Sequence, residues 1–160
     1  MITLLTESDK ETLEVGRLLG ARLGRGMFVG LSGDLGGGKT TITRGIARGL
    51  GIEAAITSPT FQLLREYEGR ERLYHFDFYR LGGESDLLDL DIIECLRDGV
   101  VVAEWADMFS VPDVDEYLIV KFYWEGENRR RIEFAGASAG AGGILEEIEP
   151  DLRKFGLKKA

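Results

Sequence analysis

At 160 residues, with hydrophobic side chains at 44%, the chain has the size and apolar content for one cored domain. Its 28 acidic and 20 basic residues leave a formal charge of −8, which argues against a broad basic grip on nucleic acid and accommodates protein partners more easily. The single cysteine, Cys95, excludes an intramolecular disulfide and suits a reducing, cytoplasmic setting.

The N-terminal Met1-Ile2-Thr3-Leu4-Leu5 has neither a basic region nor a long apolar stretch, so no signal peptide is expected. No apolar run approaches membrane-spanning length, and no membrane association is expected. Ser8 and Glu11 stand at capping-box spacing and predict a helix from about Asp9, with Leu13, Leu18, Leu19 and Leu23 on its apolar face and Gly24-Arg25-Gly26 at its end. Met27-Phe28-Val29-Gly30-Leu31 reads as a buried strand. The stretch Gly33-Asp34-Leu35-Gly36-Gly37-Gly38-Lys39-Thr40 follows, and then Ile42, Ile46 and Leu50 at helical spacing.

That stretch fits the P-loop pattern of glycine, four residues, then Gly-Lys-Ser/Thr, in the strand–loop–helix setting the pattern needs. Glycines let successive N–H groups turn inward toward phosphate oxygens, and the helix N-terminus adds partial positive charge. Asp34, Leu35, Gly36, Gly37, Gly38, Lys39, Thr40 and Thr41 are therefore the expected nucleotide cradle, with Lys39 on the β- and γ-phosphates and the Thr40 hydroxyl on Mg²⁺.

Beyond the loop, Gly49 and Gly51 close the helix, and Ala54 to Thr57 is a weak strand before the Ser58-Pro59-Thr60 turn. Phe61 to Tyr67 and Leu73 to Phe78 form a hairpin about Glu68-Gly69-Arg70. Glu84 to Arg97 reads as one helix, stopped by Asp98-Gly99, with Cys95 packed on it. Val100 to Ala103 has the uninterrupted apolar character of a parallel strand buried on both faces. Two late strands, Tyr117 to Trp124 and Arg131 to Phe134, join at Gly126-Glu127-Asn128. Residues 135–143 read as a Gly/Ala/Ser linker, Ile144 to Phe155 as a short C-terminal helix, and the lysine-rich end as frayed. The expected fold is α/β: a single P-loop NTPase-like domain over residues 1–160, with a mostly parallel, partly mixed central sheet flanked by helices.

A P-loop enzyme needs an acidic group near the metal at the end of a neighbouring apolar strand. Glu104 stands there, where Asp is more usual, and is the expected Mg²⁺ partner of Thr40. Trp105 follows and suits either shielding of the phosphates or packing. In His75-Phe76-Asp77-Phe78-Tyr79-Arg80, alternation puts His75, Asp77 and Tyr79 on one strand face. Asp77 can position a water or orient His75, itself otherwise a hydrogen-bonded structural histidine. Thr60 suits a switch hydroxyl that senses γ-phosphate through Mg²⁺, or an ordinary element-start hydroxyl. Arg129-Arg130-Arg131 suits a nucleotide or partner-phosphate contact, or a solvated turn.

Four blocks together, Gly33 to Thr41, Ser58-Pro59-Thr60-Phe61, His75 to Leu81 and Glu104-Trp105, resemble the bacterial TsaE (YjeE) family over roughly residues 6 to 134. The resemblance implies a small ATPase that binds ATP or ADP with Mg²⁺ and works with two partner proteins, TsaB and TsaD. TsaD transfers a threonylcarbamoyl group from its adenylate to adenosine 37 of tRNAs reading ANN codons. The family protein hydrolyses ATP to support repeated turnover and meets tRNA only through the complex. Carried over, the resemblance implies that Lys39 touches phosphate, Thr40 and Glu104 hold Mg²⁺, Asp77 and Trp105 serve ATP hydrolysis, and Thr60 lies in a switch-like segment. It further implies that Thr6 and Glu7 approach the adenine and that one of Arg129, Arg130 and Arg131, here assigned to Arg129, reaches the nucleotide. Two positions depart from the family pattern: Gly37 replaces a usual alanine, and Asp91 stands where a glycine is common. A small-molecule P-loop kinase with Asp77 as base, and a nucleotide-controlled switch without a metabolic substrate, are the competing readings; no Asn-Lys-x-Asp guanine-reading motif is present.

Overall fold

The computed structural model describes residues 1–34, 36, 38–57 and 62–159; Leu35, Gly37, residues 58–61 and Ala160 lie outside that description. One sheet runs through it, built from β1 (Ile2–Thr6), β2 (Met27–Gly33), β3 (Leu64–Tyr67), β4 (Arg72–Asp77), β5 (Gly99–Glu104), β6 (Glu116–Trp124), β7 (Arg130–Gly136) and β8 (Lys158–Lys159). Their spatial order is β3-β4-β5-β2-β6-β7-β1-β8. The centre, β4-β5-β2-β6, is parallel, and every pairing outside it is antiparallel. This is the mixed α/β sheet expected: a parallel centre, with the β3-β4 hairpin at one margin and β7, β1 and β8 pairing antiparallel at the other.

Among the described residues, α-helices α1 (Asp9–Gly20), α2 (Lys39–Gly49), α3 (Glu84–Leu88), α4 (Ile92–Asp98) and α5 (Ala139–Leu152) cover the faces. Strand alternation divides the core. Val29, Leu31, Val100 and Val102 pack beneath α1, α2 and α5, whereas Phe28, Phe76, Val101 and Ala103 pack beneath α3 and α4. The capping signal holds at α1, where Ser8 Oγ accepts from Glu11 N at 3.2 Å. In return, Glu11 Oε2 accepts from Glu7 N, at 2.7 Å. Helices α1 and α2 lie nearly backbone to backbone: a Cβ added at Gly45 would overlap the Leu13 carbonyl, and one at Gly20 the Ile46 carbonyl. Only glycine permits that approach, which fixes the P-loop helix against α1.

Four expectations need correction. Residues 54–57 form no strand. The predicted helix over 84–97 is two helices, broken at Asp91, whose φ of 44° and ψ of 40° are left-handed. Residues 139–143 are no linker but the opening turns of α5, because Ser138 caps Ala141 N at 3.3 Å and Ala141, Leu145, Ile148 and Leu152 give one apolar stripe. The C-terminal lysines do not fray; β8 pairs antiparallel with β1. That β1 exists at all went unpredicted, although Ile2, Leu4 and Thr6 alternate inward. Among the described residues, no helix is long and apolar enough to cross a membrane.

Candidate functional site

Tracing the pairings shows that β1, β2, β4, β5 and β6 all run the same way, so their carboxyl ends meet at one edge. Thr6, Gly33, Asp77, Glu104 and Trp124 stand at those ends. Such an edge is where α/β sheets place ligands, because loops and helix N-termini gather there.

The loop between β2 and α2 turns at Gly33, Gly36 and Gly38, with φ of 135°, 75° and 110°. Gly38 is the N-cap of α2 in a conformation that side chains resist, and no side chain caps it. The first N–H groups of α2 are thereby left for an anion. Lys39 is buried at 5% exposure. Its Nζ donates to Gly33 O at 2.6 Å and Asp34 O at 2.8 Å and lies 4.2 Å from the Trp105 ring centroid. Burial lowers its pKa, while the carboxylates of Glu104, Asp107, Asp34 and Asp77 act in the opposite direction. Asp34 and Gly36 are exposed, and Thr41 is half-buried on the first turn of α2. The calls on Leu35 and Gly37 lie outside the described residues, as does the call on Thr60.

Opposite the loop, Leu31 of β2 pairs with Glu104 of β5, and Glu104 pairs with Asp77 of β4. Glu104 is 4% exposed. Thr40 Oγ1 donates to Glu104 Oε1 at 3.1 Å, and His75 Nε2 lies 2.9 Å from Glu104 Oε2. Among the described residues, the side chains that hydrogen-bond this deeply buried carboxylate are a hydroxyl and an imidazole, and such a group suits a divalent cation. Among the described residues no three His, Cys, Asp or Glu side chains gather to hold a metal by themselves. A hydroxyl–carboxylate pair is the donor set Mg²⁺ takes when phosphate and water supply the rest. The donors present therefore fit Mg²⁺.

Asp77 Oδ1 accepts from Tyr79 N at 3.1 Å and caps the 3₁₀ turn Phe78–Arg80. Burial raises the Asp77 pKa; the Tyr79 N–H pulls it back, and the charge of Glu104 adds to the rise. Sequence reasoning let Asp77 orient His75, but the imidazole meets Glu104. Trp105 takes a left-handed φ of 60° at the end of β5, which swings its indole over Lys39 and 5.1 Å from the Tyr79 ring. A non-glycine residue in this conformation costs energy and marks functional segments more often than ordinary ones.

At the far rim the three arginines separate. Arg129 Nε pairs with Glu7 Oε2 at 2.9 Å, both largely exposed. Arg131 pairs with Glu125 and Glu133. Arg130 is the one on the loop: it is 7% exposed and donates to Gly36 O at 3.2 Å through one nitrogen and to Gly126, Glu127 and Arg129 carbonyls through another. Its guanidinium also lies 4.9 Å from the Trp124 ring centroid. Thr6 is fully buried, its hydroxyl 2.8 Å from that of Thr12 beneath the loop. Inward alternation at the start of β7 is the signal that singles out Arg130, since Arg130, Ile132 and Phe134 share the buried face. Cys95 is a packed thiol on α4, its pKa pushed up to about 11 mainly by burial.

A glycine-turned loop between a buried parallel strand and a helix, faced by a strand-end carboxylate, defines an α/β protein of the P-loop NTPase-like class. The chain belongs to the TsaE family: the model described as threonylcarbamoyl adenosine biosynthesis protein TsaE matches residues 6–132. The family places it in the biosynthesis of threonylcarbamoyladenosine in tRNA. Similar proteins named tRNA threonylcarbamoyladenosine biosynthesis protein TsaE occur in Treponema pallidum, 41% identical over 116 residues, covering 72% of this chain and 85% of the relative. The Bacillus subtilis protein of that name is 37% identical over 145 residues, covering 89% and 90%. The Nostoc protein is 42% identical over 139 residues, covering 82% and 85%. The crystal structure of Bacillus subtilis YdiB superimposes with a TM-score of 0.79 at 30% identity, over 94% of this chain and 97% of that one.

Proposed function

We propose that this chain is the ATP-binding and ATP-hydrolysing subunit required for threonylcarbamoyl modification of adenosine 37 in tRNAs reading ANN codons, supporting repeated turnover of a TsaB–TsaD pair in the cytoplasm. The observation that carries the proposal is the meeting of Thr40 Oγ1 and Glu104 Oε1 at 3.1 Å in front of the P-loop, with Asp77 on the adjacent strand. In this reading the cradle is Asp34, Leu35, Gly36, Gly37, Gly38, Lys39, Thr40 and Thr41, with Glu7 and Arg129 at the base-side rim and Thr6 buried beneath the loop. Thr40 and Glu104 hold Mg²⁺. When bound, that ion offsets negative charge on the β- and γ-phosphate oxygens.

The chain's own groups do the rest. Lys39 exchanges the Gly33 and Asp34 carbonyls for phosphate oxygens, a small displacement because those carbonyls line the same loop. The Trp105 indole shields the lysine from water, which strengthens its attraction for phosphate. Asp77, raised in pKa by burial, orients the attacking water at the end of β4. Thr60 is assigned its phosphate-sensing role on family resemblance. The acidic chain meets tRNA through its protein partners.

The test is reconstitution with the two partners, measuring ATP hydrolysis and tRNA modification together. Lys39→Ala and Glu104→Gln are each expected to slow hydrolysis roughly 10²–10³-fold, the usual loss when one charge-stabilising group is removed. Modification should then stop after the first round. Undiminished multiple-turnover modification with Lys39→Ala would overturn the proposal.

A further inference from the structure

His75 is the only histidine of the chain and is completely buried. Its Nε2 lies 2.9 Å from Glu104 Oε2, while the other oxygen of that carboxylate faces Thr40 Oγ1 at 3.1 Å. Among the described residues, its Nδ1 is buried without a hydrogen-bond partner. Across the β3–β4 pairing the residue directly opposite is Arg65, whose Nε is likewise buried and unpartnered among the described residues.

The tautomer follows from these neighbours. An ionised carboxylate only accepts, so the ring proton belongs on Nε2. Nδ1 is then an acceptor without a donor among the described residues. An imidazole protonated on Nε2 alone has a property that Lys or Arg lacks in this position: it fixes one carboxylate oxygen without neutralising the charge. The full negative charge of Glu104 stays available on the Thr40 side.

We infer that His75 is a positioning residue for Glu104: its Nε2–H holds Oε2, so that Oε1 faces the Thr40 hydroxyl, the two groups that would hold a divalent cation. The inference rests on the reading of Thr40 and Glu104 as metal ligands. Hydrogen-bonded partners of ligating carboxylates typically change metal affinity about 10- to 100-fold.

The experiment uses the full chain with ADP and Mn²⁺ as the probe, with Mn²⁺ affinity read by its electron paramagnetic resonance signal. His75→Leu fills the site without an N–H; His75→Gln restores an N–H near the Nε2 position. His75→Leu is expected to weaken Mn²⁺ binding about 10- to 100-fold and to leave metal-free ADP binding unchanged, and His75→Gln to recover most of the loss. Equal Mn²⁺ affinity in wild type and His75→Leu overturns the inference, as does a His75→Gln variant as weak as His75→Leu. Glu104→Gln, run in parallel, separates the two readings. If Glu104→Gln binds Mn²⁺ as wild type does, the metal reading itself fails. If Glu104→Gln loses the ion and His75→Leu does not, only the role of His75 fails. A second measurement needs no variant. Since the chain has one histidine, its ring nitrogen shifts in ¹⁵N NMR are unambiguous. A proton on Nε2 and a bare Nδ1 are expected; the opposite tautomer overturns the inference even if the variants do not fold.

Discussion

Asp77 keeps its carboxylate where charge is disfavoured. Burial raises its pKa and Glu104 on the paired strand adds to the rise, while the Tyr79 N–H and the nearby Arg80 charge oppose it. A folded-state pKa above the ordinary value means stability fully present below the unfolded value and lost as pH rises through the folded one. Asp77→Asn keeps the cap on Tyr79 but carries no charge. It is expected to unfold at or above the wild-type temperature at neutral pH, with the gap closing toward about pH 4, where the unfolded carboxyl titrates. Thermal scans across that range check the sign, and hydrolysis should fall in the same variant at every pH. Arg130 behaves in the opposite way. It is buried and bonds carbonyls of the loop and of the β6–β7 turn, so Arg130→Ala strands several acceptors and should cost about 2–3 kcal/mol while weakening ADP binding. Arg129→Ala removes only an exposed pair with Glu7 and should cost under about 1 kcal/mol. Chemical denaturation of the two variants separates them. Residue type alone left these three arginines equivalent; their alternation on β7 distinguishes them.

Among the elements, local signals were legible wherever they act over one turn. The Ser8 cap, the buried β2 run and the amphipathic α2 all appear as their sequences indicate. The misread elements share a cause. Helix α5 begins in glycine and alanine, which have low or no apolar signature, and is held by the Ser138 cap and by packing against β6 and β7. The break between α3 and α4 lies in one left-handed residue, Asp91. Aspartate tolerates that conformation better than most residues but still pays strain that glycine avoids. Asp91→Gly is therefore expected to raise unfolding stability by about 0.5–1 kcal/mol, the strain relieved less the extra entropy of glycine. A denaturation midpoint no higher than wild type would show that the aspartate is unstrained there.

For the molecule as a whole, the site draws on strands from most of the sheet, so ligand binding and global stability are linked. A nucleotide that binds only the folded chain at a hundred times its Kd adds about 2.7 kcal/mol. MgADP should raise the unfolding temperature accordingly, GTP should do so less, and Lys39→Ala should abolish the shift. Differential scanning fluorimetry with and without EDTA reads all three. The closing of the sheet by β8 on β1 ties the end of the chain to the strand that ends at Thr6 beneath the loop.

By itself the sequence determined the α/β class, the P-loop with its strand and helix, the carboxylate after the buried strand, and the family, because each is written in residues close together along the chain. Only the tertiary structure decided which groups meet. Thr40 and Glu104 are 64 residues apart, and His75 and Glu104 are 29 apart. Their contacts depend on the register of β4, β5 and β2, which is set by core packing across the whole sheet rather than by any local pattern. The P-loop was therefore legible as a motif, but the buried hydrogen-bond chain His75–Glu104–Thr40 in front of it was not.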